Sequence, residues 1–111
     1  MSNTYYNPKD LNKFGDVSEW QPELGEKYFE YYGSVFKDGE LSAREKALIA
    51  LAVSHAIQCP YCIDMYTKNA VVKGYDEGQM MEALHVATAI QSGSVLIHGV
   101  QMMQKAEEIM M

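Results

Sequence analysis

Positive charge is scarce in this chain. Nine lysines and arginines stand against fifteen aspartates and glutamates, a net charge of -6. Nothing resembles a basic stripe facing phosphates, which argues against nucleic acid as a partner. No apolar run approaches the ~20 residues that a bilayer-spanning helix needs, so no membrane partner is expected. The polar start Met1-Ser2-Asn3-Thr4 is unlike a signal peptide, and the expected location is cytoplasmic. β-Rich alternation, repeats and low-complexity stretches are missing too. The expectation is an all-α, single-domain helical bundle of about five helices. Cysteine is limited to two residues. In a reducing compartment such a pair is more often chemical than structural.

Apolar residues, by contrast, are plentiful: 48% of the chain, eight methionines among them. A chain of 111 residues has room for one domain with a modest core. The apolar excess is therefore expected at a subunit interface, in a homo-oligomer.

Residues 1–20 read as an N-terminal arm, because Asn7-Pro8 and Gly15 interrupt any helical period. Tyr5, Tyr6, Phe14 and Trp20 make it too aromatic for a loose tail. It either lies over its own domain or reaches a neighbouring protomer. Residues 21–111 read as the helical domain. From Pro22 to Phe36 apolar and aromatic positions recur at helical spacing, a stripe expected to face the core. Ser42 with Glu45 forms a capping box, which accounts for that carboxylate without a catalytic role. The run from Ala47 to Ile57 is apolar nearly all round, as in a central buried helix, and Ser54 and His55 are its only polar residues. Asp76 with Gln79 resembles a second capping box. Gly93 is expected to end the helix that follows, and Val95 to Met103 to form another. His85 and His98 are expected to be satisfied core histidines.

The chemistry concentrates in Cys59-Pro60-Tyr61-Cys62. Proline is favoured at the first position of a helix, so this run opens one, with Cys59 near the cap and Cys62 in the first turn. The free N–H groups there favour a thiolate. Such a pair serves either a metal or a cycling disulfide. His55 and a later histidine would complete a four-ligand metal set, but structural zinc usually draws on a second close-spaced pair, absent here. No metal and no organic cofactor is expected. His55, four residues before Cys59, is a candidate base for a thiol. Tyr66, four residues after Cys62, lies on its face and is a candidate hydrogen-bond donor to its sulfur. The candidate site is thus Cys62, Cys59, His55 and Tyr66. The tetrapeptide is that of glutaredoxins, which place it after a strand, whereas here it follows an apolar helix.

The pattern Leu41-Ser42-x-Arg44-Glu45-Lys46-Ala47-Leu48-Ile49, then Cys59-x-x-Cys62, Ala70-x-x-x-Gly74 and Glu82-Ala83-Leu84 resembles the carboxymuconolactone decarboxylase family. Within it, the dithiol resembles the redox branch, the alkyl hydroperoxidase D-like proteins. That resemblance covers residues 41–99. It implies an all-helical protomer, commonly assembled as a trimer or hexamer. It also implies a thiol peroxidase or disulfide reductase with a small peroxide or disulfide as substrate and a thiol reductant as partner. Carried over by position, Cys62 matches the peroxidatic nucleophile and Cys59 the resolving thiol. Two positions depart: Tyr66 stands where the branch has a histidine, and Ala47 where it has a glutamate. That pair forms its proton relay. A non-redox member acting on a small molecule and a Cys/His metal protein are the alternatives. The run Cys-Pro-Tyr-Cys-Ile-Asp with its tyrosine also faintly resembles peroxidase-like members associated with arsenosugar biosynthesis.

Overall fold

The computed structural model describes residues 6–111, and among them all regular structure is helical. A 3-10 helix, Pro8–Ser18, precedes α1 (Pro22–Val35), α2 (Ala43–Ala56), α3 (Pro60–Val72) and α4 (Glu77–Met110). Tyr5 lies outside the described residues. Within the described part of the arm, Pro8–Ser18 is helical where a broken period was expected, because Asn7 caps it and Pro8 occupies the first turn. It packs on α1 and α3 of its own chain.

Local signals set most helix ends. The Ser42 hydroxyl accepts from the Glu45 N–H, and the Glu45 carboxylate accepts from the Ser42 N–H at 2.8 Å. Those bonds hold the Glu45 carboxyl below its ordinary range, the backbone one most. Asp76 and Gln79 repeat the arrangement at the start of α4. Gly74 supplies the left-handed residue after α3, with φ 90°. After α2 that place belongs to Gln58, with φ 55°.

The buried core is small and lies where α2, α3 and the first half of α4 meet. Leu51, Ala70 and Tyr75 form its centre, with Leu48, Met80 and Leu84 against them. Arg44 lies over the Tyr75 ring at 3.9 Å and donates to the Lys73 carbonyl, while the Tyr75 hydroxyl donates to the Arg44 carbonyl. This clamp ties the start of α2 to the α3–α4 turn. Gln91 reaches the Ala56 carbonyl at 2.6 Å, so α4 runs parallel to α2 and is last tied to it there.

Three expectations about helices need correction. Gly93 does not end a helix: α4 continues for 34 residues to Met110. A helical glycine costs only about 1 kcal/mol, less than breaking and recapping a helix without proline or a cap nearby. The result is a helix long and apolar enough, by length and composition, to cross a membrane, which the expected break concealed. α2 is buried on one face only; Ala47, Leu51 and Ser54 point inward while Ile49, Val53 and Ile57 are exposed. α1 contributes nothing to the buried core, because its aromatic stripe meets the 3-10 helix instead. Phe14 sits edge-on to Tyr28, Phe29 and Tyr32.

Candidate functional site at the start of α3

α2 hands the chain to the cysteines through a tight turn. The Gln58 N–H donates to the His55 carbonyl and the Cys59 N–H to the Ser54 carbonyl, both at 3.1 Å. Ser54 is itself buried, its hydroxyl donating to Ala50. Cys59 is the N-cap of α3, extended at φ -100° and ψ 101°, and Pro60 follows at the first helical position. The Cys59 sulfur accepts the Cys62 N–H at 3.2 Å, the bond a capping oxygen would take. Cys59 and Cys62 are joined as a disulfide, with their Cα atoms 5.2 Å apart. Both are half-buried. A pair that closes on itself within one helical turn fits a Cys-x-x-Cys redox role.

Two cavities meet at this disulfide. One, of about 480 Å³, lies under the 3-10 helix, where Phe14, Tyr28, Tyr32 and Met65 line it together with both cysteines. Burial and the neighbouring Tyr28 push the Tyr32 phenol up. The other, of about 430 Å³, lies between the end of α1 and the outer face of α2. Val53, Ile57, Phe36 and Tyr66 wall it, and Cys62 alone of the two cysteines borders it. Cys62 therefore faces both cavities, Cys59 only the first.

The arm is fastened directly beside the sulfurs. Tyr61, between the two cysteines, donates its hydroxyl to an Asp10 carboxylate oxygen at 2.9 Å. That bond, above all, raises the Tyr61 phenol from its ordinary value. The Tyr6 ring lies 4.6 Å from the Tyr61 ring, and its hydroxyl reaches the Pro60 carbonyl.

Of the residues singled out from sequence, Cys59 and Cys62 are joined, and Tyr66 borders the second cavity together with Cys62. Tyr66 is 8% exposed, its ring stacked on Phe36 at 5.4 Å. His55 is held elsewhere: its Nδ1 lies 2.9 Å from the Leu51 carbonyl. A carbonyl only accepts, so Nδ1 carries the proton and Nε2 is the basic nitrogen. The ring lines neither cavity. His85 and His98 are exposed, a correction to the core reading, since both lie on parts of α4 that nothing covers. Ala47 is fully buried, leaving no carboxylate behind the cysteines at that position. Among the described residues no three or more His, Cys, Asp or Glu side chains cluster in a way that could hold a metal ion.

Asp10 and Tyr61 were not singled out in the sequence, and Phe14 stood out only as part of an aromatic arm. Tyr61 carried a signal, as an aromatic enclosed by the two cysteines. Asp10 carried none, being 51 residues from its partner.

These features define a class, an all-helical protomer with a dithiol at a helix start. The sequence profile of the carboxymuconolactone decarboxylase family matches residues 22–105, and the chain belongs to that family. An uncharacterized protein of the cox locus in Paracoccus denitrificans is 34% identical over 102 residues, 92% of each chain. A crystal structure of a Methanobacterium thermoautotrophicum protein matches with a TM-score of 0.74 and 32% identity, over 78% of this chain and 97% of that one. The apo form of a carboxymuconolactone decarboxylase family protein from Legionella pneumophila matches with a TM-score of 0.68 and 27% identity, over 91% of each chain.

Proposed function

We propose that this chain is a thiol-dependent peroxidase or disulfide reductase working through Cys59 and Cys62. The observation that carries the reading is their disulfide, formed at a helix start and opening onto an apolar cavity. In the peroxidase cycle the Cys62 thiolate attacks one oxygen of the peroxide. The O–O bond breaks, the other oxygen leaves and takes a proton, and Cys62 becomes a sulfenic acid. The Cys59 thiol then attacks that sulfur and water leaves, closing the disulfide. Two thiols of a reductant return the pair to its reduced form and become a disulfide themselves. The Tyr66 hydroxyl, on the cavity that Cys62 borders, is the first candidate for proton handling in place of the branch's glutamate and histidine; the His55 Nε2, whose ring lines neither cavity, is the second. No metal or organic cofactor enters these steps, and a reducing compartment such as the cytoplasm suits them.

A second polarity is favoured by one specific observation. The Cys62 N–H points at the Cys59 sulfur, which favours Cys59 as the thiolate once the pair is reduced. The cysteine variants decide between the two. With Cys62 attacking, Cys62→Ser abolishes peroxide consumption, and Cys59→Ser stalls at a sulfenic acid trappable with a dimedone-type reagent. The reverse outcome makes Cys59 the nucleophile. Two thiols indifferent to both peroxide and disulfides, with no mass loss of two hydrogens, sink the redox reading. They would return the apolar cavity to a non-redox small-molecule enzyme.

The protomer is also proposed to work as a homo-oligomer, a trimer or hexamer. Its apolar surface is the support: α4 alone exposes Val86, Ile90, Val95, Leu96, Met102 and Ile109. A 12.5 kDa monomer in sedimentation at micromolar concentration would rule this out.

A further inference from the structure

The chain has far more surface than its size calls for. A compact monomer of 12.5 kDa exposes about 6,200 Å². This protomer exposes 8994 Å². Its radius of gyration is 19.1 Å, against about 13 Å for a compact chain of its length. The excess, roughly 2,800 Å², is well above the ~800 Å² that each partner buries in a standard interface.

Two apolar parts of that surface bear on the cysteines. The first is the distal half of α4. Beyond Gln91, its last tie to α2, the helix runs roughly 28 Å further at 1.5 Å per residue. Leu96 there is 77% exposed, with Val95, Val100 and Met103 around it. The second is the outer wall of the α1–α2 cavity at Cys62. Val53 is 50% exposed and Ile57 65%, with Ile49 and Leu41 beside them. The chain's own α4 cannot serve both, since its first half occupies the opposite, Leu48–Leu51 side of α2. Charge is compatible with such a contact: Lys46, whose ammonium rests on the Lys37 carbonyl, borders this cavity, and Glu107 lies near the end of α4, where Glu108 is paired with Lys105.

We propose that the distal half of α4 from a second copy of this chain lies across the outer face of α2 and closes the cavity at Cys62. The site is then incomplete in a single protomer. The partner copy supplies apolar side chains that exclude water from one side of Cys62, and reagents reach the pair only through the cavity under the 3-10 helix. Cys59, which borders only that cavity, is indifferent to the partner. The inference rests on the homo-oligomer part of the proposed function and not on the redox chemistry.

The test uses the reduced full-length chain, with sedimentation for mass and peptide mass spectrometry for the alkylation rate of each cysteine by a bulky maleimide. Leu96→Glu and Ile57→Glu change exposed residues on the two sides of the proposed contact. Each is expected to shift the assembly toward a smaller species with helicity kept. Cys62 alkylation should rise about tenfold with access while the Cys59 rate stays within about twofold. Dilution of the unaltered chain should do the same and needs no variant. Assembly lost with no change at Cys62 overturns the proposal but leaves the oligomer standing. A monomer at all concentrations overturns both. The proposal also fails if the unaltered chain floats with phosphatidylcholine vesicles instead of self-associating, since α4 would then be covered by lipid.

Discussion

The turns that end α2 and α3 are built from equivalent hydrogen bonds, and they contrast at the left-handed position, Gln58 in one and Gly74 in the other. After α3, Gly74 donates to the Val71 carbonyl and Tyr75 to the Ala70 carbonyl. After α2, Gln58 donates to His55 and Cys59 to Ser54. This is the closure that wants a left-handed residue at its first position beyond the helix, where glycine fits without cost. Gln58 adopts it against a steric penalty of about 1–2 kcal/mol. The strained copy of the turn leads into the cysteines, and the relaxed copy leads into the α3–α4 clamp. Strain held by surrounding structure gathers at functional sites. Here it fixes where Cys59 leaves α2 and therefore how Pro60 opens α3.

That comparison is open to measurement. The largest effect is expected from Gln58→Pro, which forces φ to about -65° and removes the N–H given to His55. Urea unfolding should show a loss of about 3 kcal/mol, with slower closure of the reduced pair to a disulfide. Gly74→Ala comes next. It leaves the cysteines alone and should cost about 1 kcal/mol, the left-handed penalty less the lower entropy of the unfolded alanine chain. Gln58→Gly has the opposite sign. Relief of strain less the extra unfolded-state entropy should leave a gain of about 0.5–1 kcal/mol. A loss there, or a gain from Gly74→Ala, would show that the two turns are not energetically alike.

Acid provides the smallest and sharpest contrast, at the other end of α2. The Glu45 carboxyl lies below its ordinary value of 4.5 in the folded chain, so its cap is fully present above that value. It is lost as pH falls through the lower folded one. Melting temperature in Glu45→Gln should accordingly lose part of its pH dependence just below the carboxylate range. Both helix-end turns contain only backbone bonds and should not respond.

Much of this was readable in residue order alone. Ser42 with Glu45, Asp76 with Gln79, Pro60 after Cys59 and Gly74 after α3 all act within one turn of helix. Their hydrogen bonds depend on neighbours three to five residues away, so identity and spacing suffice to place them. The family pattern and the Cys-x-x-Cys pair were legible for the same reason. Gln58 was not, because its left-handed conformation is imposed by the helices on either side rather than preferred by glutamine.

What only the tertiary structure decided is which faces are covered and which side chains meet. An aromatic stripe on α1 looks the same in sequence whether it meets a core or an arm. Here Phe14 arrives from the 3-10 helix and turns it into a cavity roof. His55 looked poised for Cys59, yet its Nδ1 proton goes to the Leu51 carbonyl in its own helix. Asp10 reaches Tyr61 across 51 residues. Sequence by itself determined most helix starts, their caps and the dithiol, since those energies are local. Burial and long-range hydrogen bonds draw on atoms from distant parts of the chain, and only folding brings those together.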